Sequence, residues 1–157
     1  MDMQLCTKNA FSVIGKEGST DSGTGFINAL WQDATAHFDE IEGLLLRDAD
    51  GTPVGFWGAM SDFTRSFLPW AEDFSQGLYL AGAEVADDAV APAGWTKWTI
   101  PAYEYMTVKI KSAPAGLFSE ALAYLDANGY KLAGAVHDFM NPRENGQPYM
   151  YFPIRKI

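Results

Sequence analysis

Two stretches of the chain place apolar residues every three or four positions, which is the period of an amphipathic helix. In residues 26–42, Asp, Glu and Gln side chains lie opposite the apolar stripe. In the second stretch, residues 114–128, Pro114 suits a first helical turn, and Asn128-Gly129 is a common helix stop. The pattern therefore predicts two helices, near residues 26–42 and 114–128.

Shorter runs, rich in β-branched and aromatic residues, predict strands around these helices. The predicted strands cover residues 9–17, 54–60, 78–85, 95–111, 132–140 and 148–154. The longest of them alternates so that Trp98 and Ile100 lie on one face, and Tyr103 and Tyr105 lie on the other. It is predicted to be the central strand of the fold.

Prolines and loops limit these strands. A proline cannot donate a hydrogen bond to a strand ladder, so Pro101 marks a strand start, an edge or a bulge. For the same reason, Pro148 and Pro153 restrict the last strand to an edge or a short pairing. Residues 61–76 are irregular but contain several aromatic residues, which predicts a loop that folds back on the domain.

The order of elements is duplicated. A strand precedes each helix and two strands follow it, although the two copies share a pattern and not an identity. We predict one domain over residues 1–157, with halves at about 1–90 and 91–157 joined through the polar connection 87–94. The expected fold class is α+β: a duplicated β-α-β-β unit with an antiparallel sheet and both helices on one face. The other face is then open to solvent, a partner or a ligand.

Aromatic residues make up 14% of the chain, and their polar tips need partners when the rings are buried. Several lie on predicted strands, away from the helix stripes, and are candidates for the walls of a cleft. They are Trp57, Trp98, Tyr103, Tyr105, Tyr149 and Tyr151. The alternative is a β-rich core that uses aromatic residues for packing. Trp31 belongs to a helix stripe, so core packing is its simpler role.

Charge and composition exclude some functions. A net charge of −9 argues against binding a phosphate backbone, and it would attract cationic small molecules. One cysteine, Cys6, allows no intramolecular disulfide, and two histidines are too few for a His-rich metal site. No run approaches the length of a membrane span, and no secretion signal is evident. We therefore predict a cytoplasmic protein with no cofactor, no metal and no membrane or nucleic-acid partner.

Four motifs together resemble the GyrI-like family, the bacterial transcription-activator effector-binding domains. They are FINALW, LYLAGAEV, TIPAYEYMTV and YMYFPIRKI, in the family's order and spread over nearly the whole chain. The resemblance implies a ligand cleft between the two halves, which receives small molecules that are often cationic or aromatic. The positions that match the family pattern are Trp31, Tyr79, Gly82, Glu84, Pro101, Ala102, Tyr105, Pro153 and Ile154.

Asp138 is the one departure from the family pattern that concerns the ligand. The family often has an acidic position in the penultimate strand, and here the nearest match is His137-Asp138-Phe139, so that Asp138 would stand in. Its shorter side chain could weaken contact with a ligand. Without the resemblance, a carboxylate in this strand would be expected on the wet face.

The leading hypothesis is a stand-alone effector-binding domain, without a DNA-binding segment, for a small cationic or amphipathic aromatic molecule. Its expected ligand-binding residues are Trp31, Trp57, Tyr79, Glu84, Trp98, Tyr105, Asp138, Tyr149 and Tyr151. A second hypothesis is a hydrolase of a small electrophile on the same fold, with Glu84 or Asp138 as the base. A third is a protein-binding inhibitor module that uses an acidic face, and a homodimer is also compatible with the sequence.

Overall fold

In a computed structural model, which describes residues 1–111 and 116–157, eight strands form one antiparallel sheet. The strands are β1 (Met3–Lys8), β2 (Phe11–Ser19), β3 (Phe56–Ser61), β4 (Leu78–Val85), β5 (Thr96–Ile100), β6 (Tyr103–Lys109), β7 (His137–Asn141) and β8 (Gln147–Lys156). The helices are α1 (Phe26–Ala36), the single turn α2 (Ala71–Phe74) and α3 (Leu117–Ala127). None of these helices is long and apolar enough to cross a membrane.

The strand order β1-β6-β8-β7-β3-β4-β2-β5 confirms the predicted duplication. Strands β2, β3 and β4 with α1 form one half, and β6, β7 and β8 with α3 form the other. The halves join at the centre of the sheet, where β3 pairs with β7 and Trp57 lies opposite Phe139. The predicted α+β class, antiparallel sheet and pair of long helices are therefore confirmed.

Short connections force the sheet to bend back on itself. Strands β1 and β2 are first and seventh in the sheet, yet only Asn9 and Ala10 separate them. In a flat sheet six strand spacings would put them roughly 29 Å apart. A two-residue link spans roughly 11 Å at most. The link between β5 and β6, Pro101-Ala102, imposes the same closure from the other end.

The prediction of one central strand over residues 95–111 is wrong. The segment is two strands, β5 and β6, that lie near opposite ends of the sheet order. The break at Pro101-Ala102 also changes the alternation, so that Trp98, Ile100, Tyr103 and Tyr105 all pack in one cluster. Proline removes a ladder donor, and here it ends one strand before the other begins.

The structure corrects two further predictions and adds one strand. Helix α1 ends at Ala36, and the rest of the predicted helix forms two short 3-10 turns, Phe38–Glu40 and Glu42–Leu44. Strand β8 is not at an edge, because it pairs with β6 and with β7. Pro153 fits there because the register shifts where it faces Tyr105. Strand β1 was not predicted. The first turn proposed at Pro114 lies outside the described residues.

The two faces of the sheet have different coverings. The helix face carries α1 and α3, each over its own apolar cluster, around Ile14, Ala34 and Ile41 and around Ala121, Leu125 and Phe152. The opposite face, which we call the inner face, holds a third and more aromatic cluster. Its buried members are Phe11, Val13, Trp57, Ala59, Leu78, Leu80, Trp98, Ile100, Tyr103, Tyr105 and Phe139. The curled sheet therefore packs aromatic side chains against one another on its inner face.

Candidate ligand-binding groove

On the helix face, where the two halves meet, two apolar pockets lie on either side of Gly58 and Asp138, and we call the pockets with the surface between them the groove. Along β3, Phe56, Gly58 and Met60 share this face because side chains alternate. Gly58 pairs with Asp138 of β7, and Phe56 pairs with Met140. The junction therefore brings Asp138 onto the helix face, between the part of the sheet under α1 and the part under α3.

Tyr79 reaches Asp138 by crossing over Gly58. Tyr79 belongs to β4, on the far side of β3 from Asp138. Its hydroxyl occupies the space above Gly58, since a Cβ atom at that glycine would lie 1.7 Å from the Tyr79 Oη. The hydroxyl donates to Asp138 Oδ2 at 2.9 Å and accepts from Trp31 Nε1 at 3.1 Å. Helix α1, β4 and β7 are thereby connected through one hydrogen-bonded chain.

Asp138 is a carboxylate in an apolar setting. Burial raises its pKa above the ordinary value, and the hydrogen bond from Tyr79 opposes part of that rise. Within the described residues, no Lys, Arg or His side chain forms an ion pair with it. The side chain is only partly buried, so a ligand in the groove can approach it. The carboxyl group therefore has no cationic partner among the described residues, and a cation bound beside it would favour its charged form.

Two apolar pockets flank Asp138. The α1-side pocket has a volume of about 590 Å³ and is lined by Trp31, Ala34, Thr35, Phe38, Phe56, Gly82 and Met140. The α3-side pocket has a volume of about 240 Å³ and is lined by Met60, Trp70, Phe74, Phe118, Val136 and Met150. On β3, Phe56 lines the α1-side pocket and Met60 lines the α3-side pocket, on either side of Gly58. In the same way, Met140 of β7 lines the α1-side pocket and Val136, just before β7, lines the α3-side pocket, on either side of Asp138.

The loop between β3 and β4 forms the outer wall of the α3-side pocket. Trp70 covers Gly77 and donates its indole N–H to the Leu78 carbonyl at 3.0 Å. Phe74 meets Phe118 of α3 edge to face, with ring centroids 5.1 Å apart. Three aromatic residues of this loop, Phe67, Trp70 and Phe74, fold back on the domain as predicted, whereas Phe63 is exposed.

Three of the residues expected to bind a ligand meet in the groove: Trp31, Tyr79 and Asp138. Trp57, Trp98 and Tyr105 are buried in the inner-face cluster, and Tyr149 and Tyr151 pack against it. Glu84 also points to the inner face, where it accepts from Trp57 Nε1 at 3.0 Å and pairs with Lys8 at 3.2 Å. Glu84 and Asp138 therefore lie on opposite faces of the sheet.

Sequence reasoning missed most of the residues that line the groove, including Met60, Met140, Met150, Phe74 and Phe118. One signal was available, because residues two positions from Asp138 or Gly58 on a strand share their face. By that rule Met140, two positions from Asp138, and Met60, two positions from Gly58, are expected on the same face as Asp138. Phe118 was assigned only to a helix stripe, and nothing in the sequence brought Phe74 next to it.

Gly58→Ala should break the contact between Tyr79 and Asp138 without a change of charge. The new Cβ would occupy the position of the Tyr79 hydroxyl, so the ring must move and the buried hydroxyl loses its partner. We expect a loss of about 1–3 kcal/mol in unfolding free energy. Urea denaturation measures it. Tyr79→Phe in the Gly58→Ala background should then cost much less than in wild type, and equal costs in both backgrounds would contradict this geometry.

In residues 1–111 and 116–157, no group of three or more His, Cys, Asp and Glu side chains is placed to hold a metal ion. The chemistry of the groove is therefore that of one carboxylate, two aromatic hydrogen-bond donors and apolar walls. This combination suits an organic molecule that has a positive charge and apolar parts.

The fold has counterparts among solved structures. SAV2435, solved in complex with tetraphenylphosphonium, matches with a TM-score of 0.65 and 13% identity, over 99% of this chain and 94% of its own. The C-terminal domain of EcmrR matches with a TM-score of 0.67 and 16% identity, over 99% and 98% of the two chains. An integron cassette protein from the mobile metagenome of Vibrio cholerae matches with a TM-score of 0.59 and 18% identity, over 98% of this chain and 95% of its own.

No protein-family model and no curated protein matches the sequence. At the identities of the solved structures, the similarity concerns the fold, and it covers almost the whole of each chain. The chain shares the fold of these proteins, and the predicted resemblance to the GyrI-like effector-binding domains is confirmed at the level of the fold.

Proposed function

We propose that this protein binds small, cationic, amphipathic organic molecules in the groove, with Asp138 as the counter-charge. The observation that carries the proposal is the position of Asp138: a carboxylate without an ion-pair partner in the described residues, between two apolar pockets. Burying a carboxylate without a partner costs free energy. A bound cation offsets that cost, whereas a neutral ligand does not.

The aromatic side chains around Asp138 support the same ligand class. Trp31 and Phe38 line the α1-side pocket, and Trp70, Phe74 and Phe118 line the α3-side pocket. Aromatic faces attract cations through their quadrupoles and also accept apolar groups. The net charge of −9 favours the approach of a cation from solution.

One comparison supports the proposal. SAV2435, which has the same fold, was solved with tetraphenylphosphonium, a cation surrounded by aromatic rings. The catalytic alternative has less support, because Glu84 is paired with Lys8 on the other side of the sheet and cannot act on a molecule held at Asp138. Asp138 is therefore the only carboxylate among the groove residues described above, and it would have to act without a second acidic residue.

Asp138→Asn tests the proposal because it keeps the shape of the side chain and removes its charge. We expect the affinity for methyltriphenylphosphonium to fall roughly tenfold to hundredfold, equivalent to about 1.4–2.8 kcal/mol. Triphenylphosphine oxide, a neutral molecule of similar shape, should lose far less, because its burial is unchanged. Titration calorimetry at one salt concentration measures both affinities.

The matched control is Asp126→Asn, which removes an exposed carboxylate from α3 and alters the net charge by the same amount. It should leave both affinities within about twofold of wild type, because exposed charges are screened by solvent and salt. Equal losses for the cation and the neutral oxide in Asp138→Asn would show that Asp138 supports the groove and does not pair with the ligand. Unchanged affinity for the cation would reject Asp138 as the counter-charge.

A further inference from the structure

The carboxylate lies at the middle of the groove, with an apolar pocket on each side. Phe56 and Met60, which line the two pockets, are four residues apart on β3, or roughly 13 Å along the strand. Gly58, the partner of Asp138, lies halfway between them. A cation that contacts Asp138 therefore has an apolar pocket in each of two directions, and no single arm can fill both.

The two pockets are unequal in size and similar in character. Their volumes are about 590 and about 240 Å³, and aromatic and methionine side chains form most of both linings. The larger pocket falls within the range of small-molecule sites, and the smaller one is closer to a single aromatic ring with its surroundings. Methionine side chains at Met60, Met140 and Met150 adapt to arms of different outline.

We propose that the preferred ligand is a cation whose charge lies between two apolar arms, the bulkier arm in the α1-side pocket and the smaller arm in the α3-side pocket. This inference rests on the proposed function, since it specifies the ligand class of the same groove. It goes further, because a cation with its charge at one end would satisfy Asp138 and leave one pocket empty.

The physical reason is the apolar area that the second arm removes from water. Burying a phenyl-sized group contributes more than a factor of ten in an equilibrium constant. In a terminally charged molecule of the same composition, both rings extend in one direction from Asp138. One ring then enters a pocket and the other passes beyond it or remains in solvent.

The test uses two isomeric cations of equal charge and composition. Dimethyl-diphenethylammonium carries its nitrogen between two phenyl arms, whereas trimethyl-(phenethylbenzyl)ammonium carries both rings on one side of the nitrogen. Phenethyltrimethylammonium, with one arm, gives the baseline. We expect the centrally charged isomer to bind at least tenfold more tightly than the terminally charged isomer, as measured by titration calorimetry.

Two variants fill one pocket each. Thr35→Trp places a large ring in the α1-side pocket, from an exposed position on α1. Met60→Trp does the same in the α3-side pocket. Each should weaken binding of the centrally charged isomer at least tenfold, so that its advantage over the terminally charged isomer disappears.

Val90→Trp is the control, because it introduces the same residue at an exposed position outside both linings and should leave the affinities for both isomers unchanged. Circular dichroism of all three variants verifies folding, and if a filled variant unfolds, the isomer comparison on wild type still decides.

The outcomes separate this inference from the proposed function. A tenfold preference for the central charge, lost in both filled variants, supports it. Equal affinity of the two isomers, with both weakened in Asp138→Asn, overturns the two-armed ligand and leaves the cation-binding function in place. Binding that ignores both Asp138 and the position of the charge overturns the inference together with the proposed function.

Discussion

Acidification from pH 6.5 to about pH 3 should remove about 4 kcal/mol of unfolding free energy through His137 alone. Burial lowers the pKa of His137 from 6.5 to about 3. The ring is 1% exposed, and its Nδ1 accepts the Met60 backbone N–H at 3.0 Å. Protonation at Nδ1 would remove that acceptor and place a charge among the aromatic side chains of the inner face.

The direction of this pH effect follows from the linkage between proton binding and folding. Between pH 6.5 and about pH 3, the unfolded chain binds a proton at this histidine and the folded chain does not. Stability therefore falls as pH decreases through this window, by about 1.4 kcal/mol per pH unit. The rings that face His137 are Trp57 and Tyr105, at centroid distances of 6.4 and 6.5 Å, and neither supplies a negative charge near neutral pH.

His137→Asn is the informative variant, because the Asn side-chain oxygen can accept from Met60 but does not titrate. We expect it to be less stable than wild type at pH 7, owing to the smaller side chain, and to have a much flatter pH dependence. Urea denaturation at pH 7 and pH 4.5 measures the difference. His37→Asn is the control: His37 is exposed, and hydrogen bonds to Asp33 raise its pKa, so its contribution has the opposite sign. An equally steep acid loss in wild type and His137→Asn would contradict the assignment.

Gly82→Ala should destabilise the protein by about 3 kcal/mol or more. Gly82 of β4 faces Gly15 of β2 in the sheet. A Cβ atom at Gly82 would lie 2.0 Å from the Ile14 carbonyl oxygen and 2.5 Å from the Gly15 Cα. These are backbone atoms, so relief of the clash requires a shift of one strand relative to the other. Overpacking of a well-packed region costs about 1–3 kcal/mol, and more where the backbone itself must move.

Gly43→Ala is a suitable control for this experiment. Gly43 lies in a 3-10 turn with a negative φ, and a Cβ added there would meet nothing within 4 Å. Its unfolding free energy should stay within about 1 kcal/mol of wild type, with a stabilising effect expected from the reduced freedom of the unfolded chain. Urea denaturation of both variants gives the comparison. A loss below 1 kcal/mol in Gly82→Ala would show that the two strands separate easily and that their close approach is not a rigid feature.

The close approach at Gly15 and Gly82 also bears on the shape of the sheet. The two-residue links at Asn9-Ala10 and Pro101-Ala102 require strong curvature, and paired glycines allow neighbouring strands to approach more closely than side chains would permit. The groove depends on that shape, because Gly82 also lines the α1-side pocket. A substitution at Gly82 should therefore affect ligand binding as well as stability.

Local patterns were sufficient to predict most of the elements and the duplicated order. The period of apolar residues located α1 and α3, and strand β4 was predicted with its observed bounds, Leu78–Val85. The FINALW, LYLAGAEV, TIPAYEYMTV and YMYFPIRKI motifs indicated the fold that the solved structures share. These features depend on interactions within a few residues, or on patterns that repeat along the chain, so the sequence alone contains them.

The pairing of strands that are distant in sequence decided which side chains share a face of the sheet and where the groove lies. Whether Trp98 and Tyr103 share a face depends on how the chain turns at Pro101, and alternation along one strand cannot reveal a break in it. Whether Glu84 and Asp138 face one another depends on the parity of two strands in different halves, and the structure places them on opposite faces. Tyr79 reaches Asp138 because Gly58 leaves room for it to cross β3, and the three residues meet only through the pairing of β4, β3 and β7. The sequence by itself determined most of the elements and an acidic residue worth testing. Only the tertiary structure placed that residue between two pockets, because side chains distant in sequence meet only through the strand register.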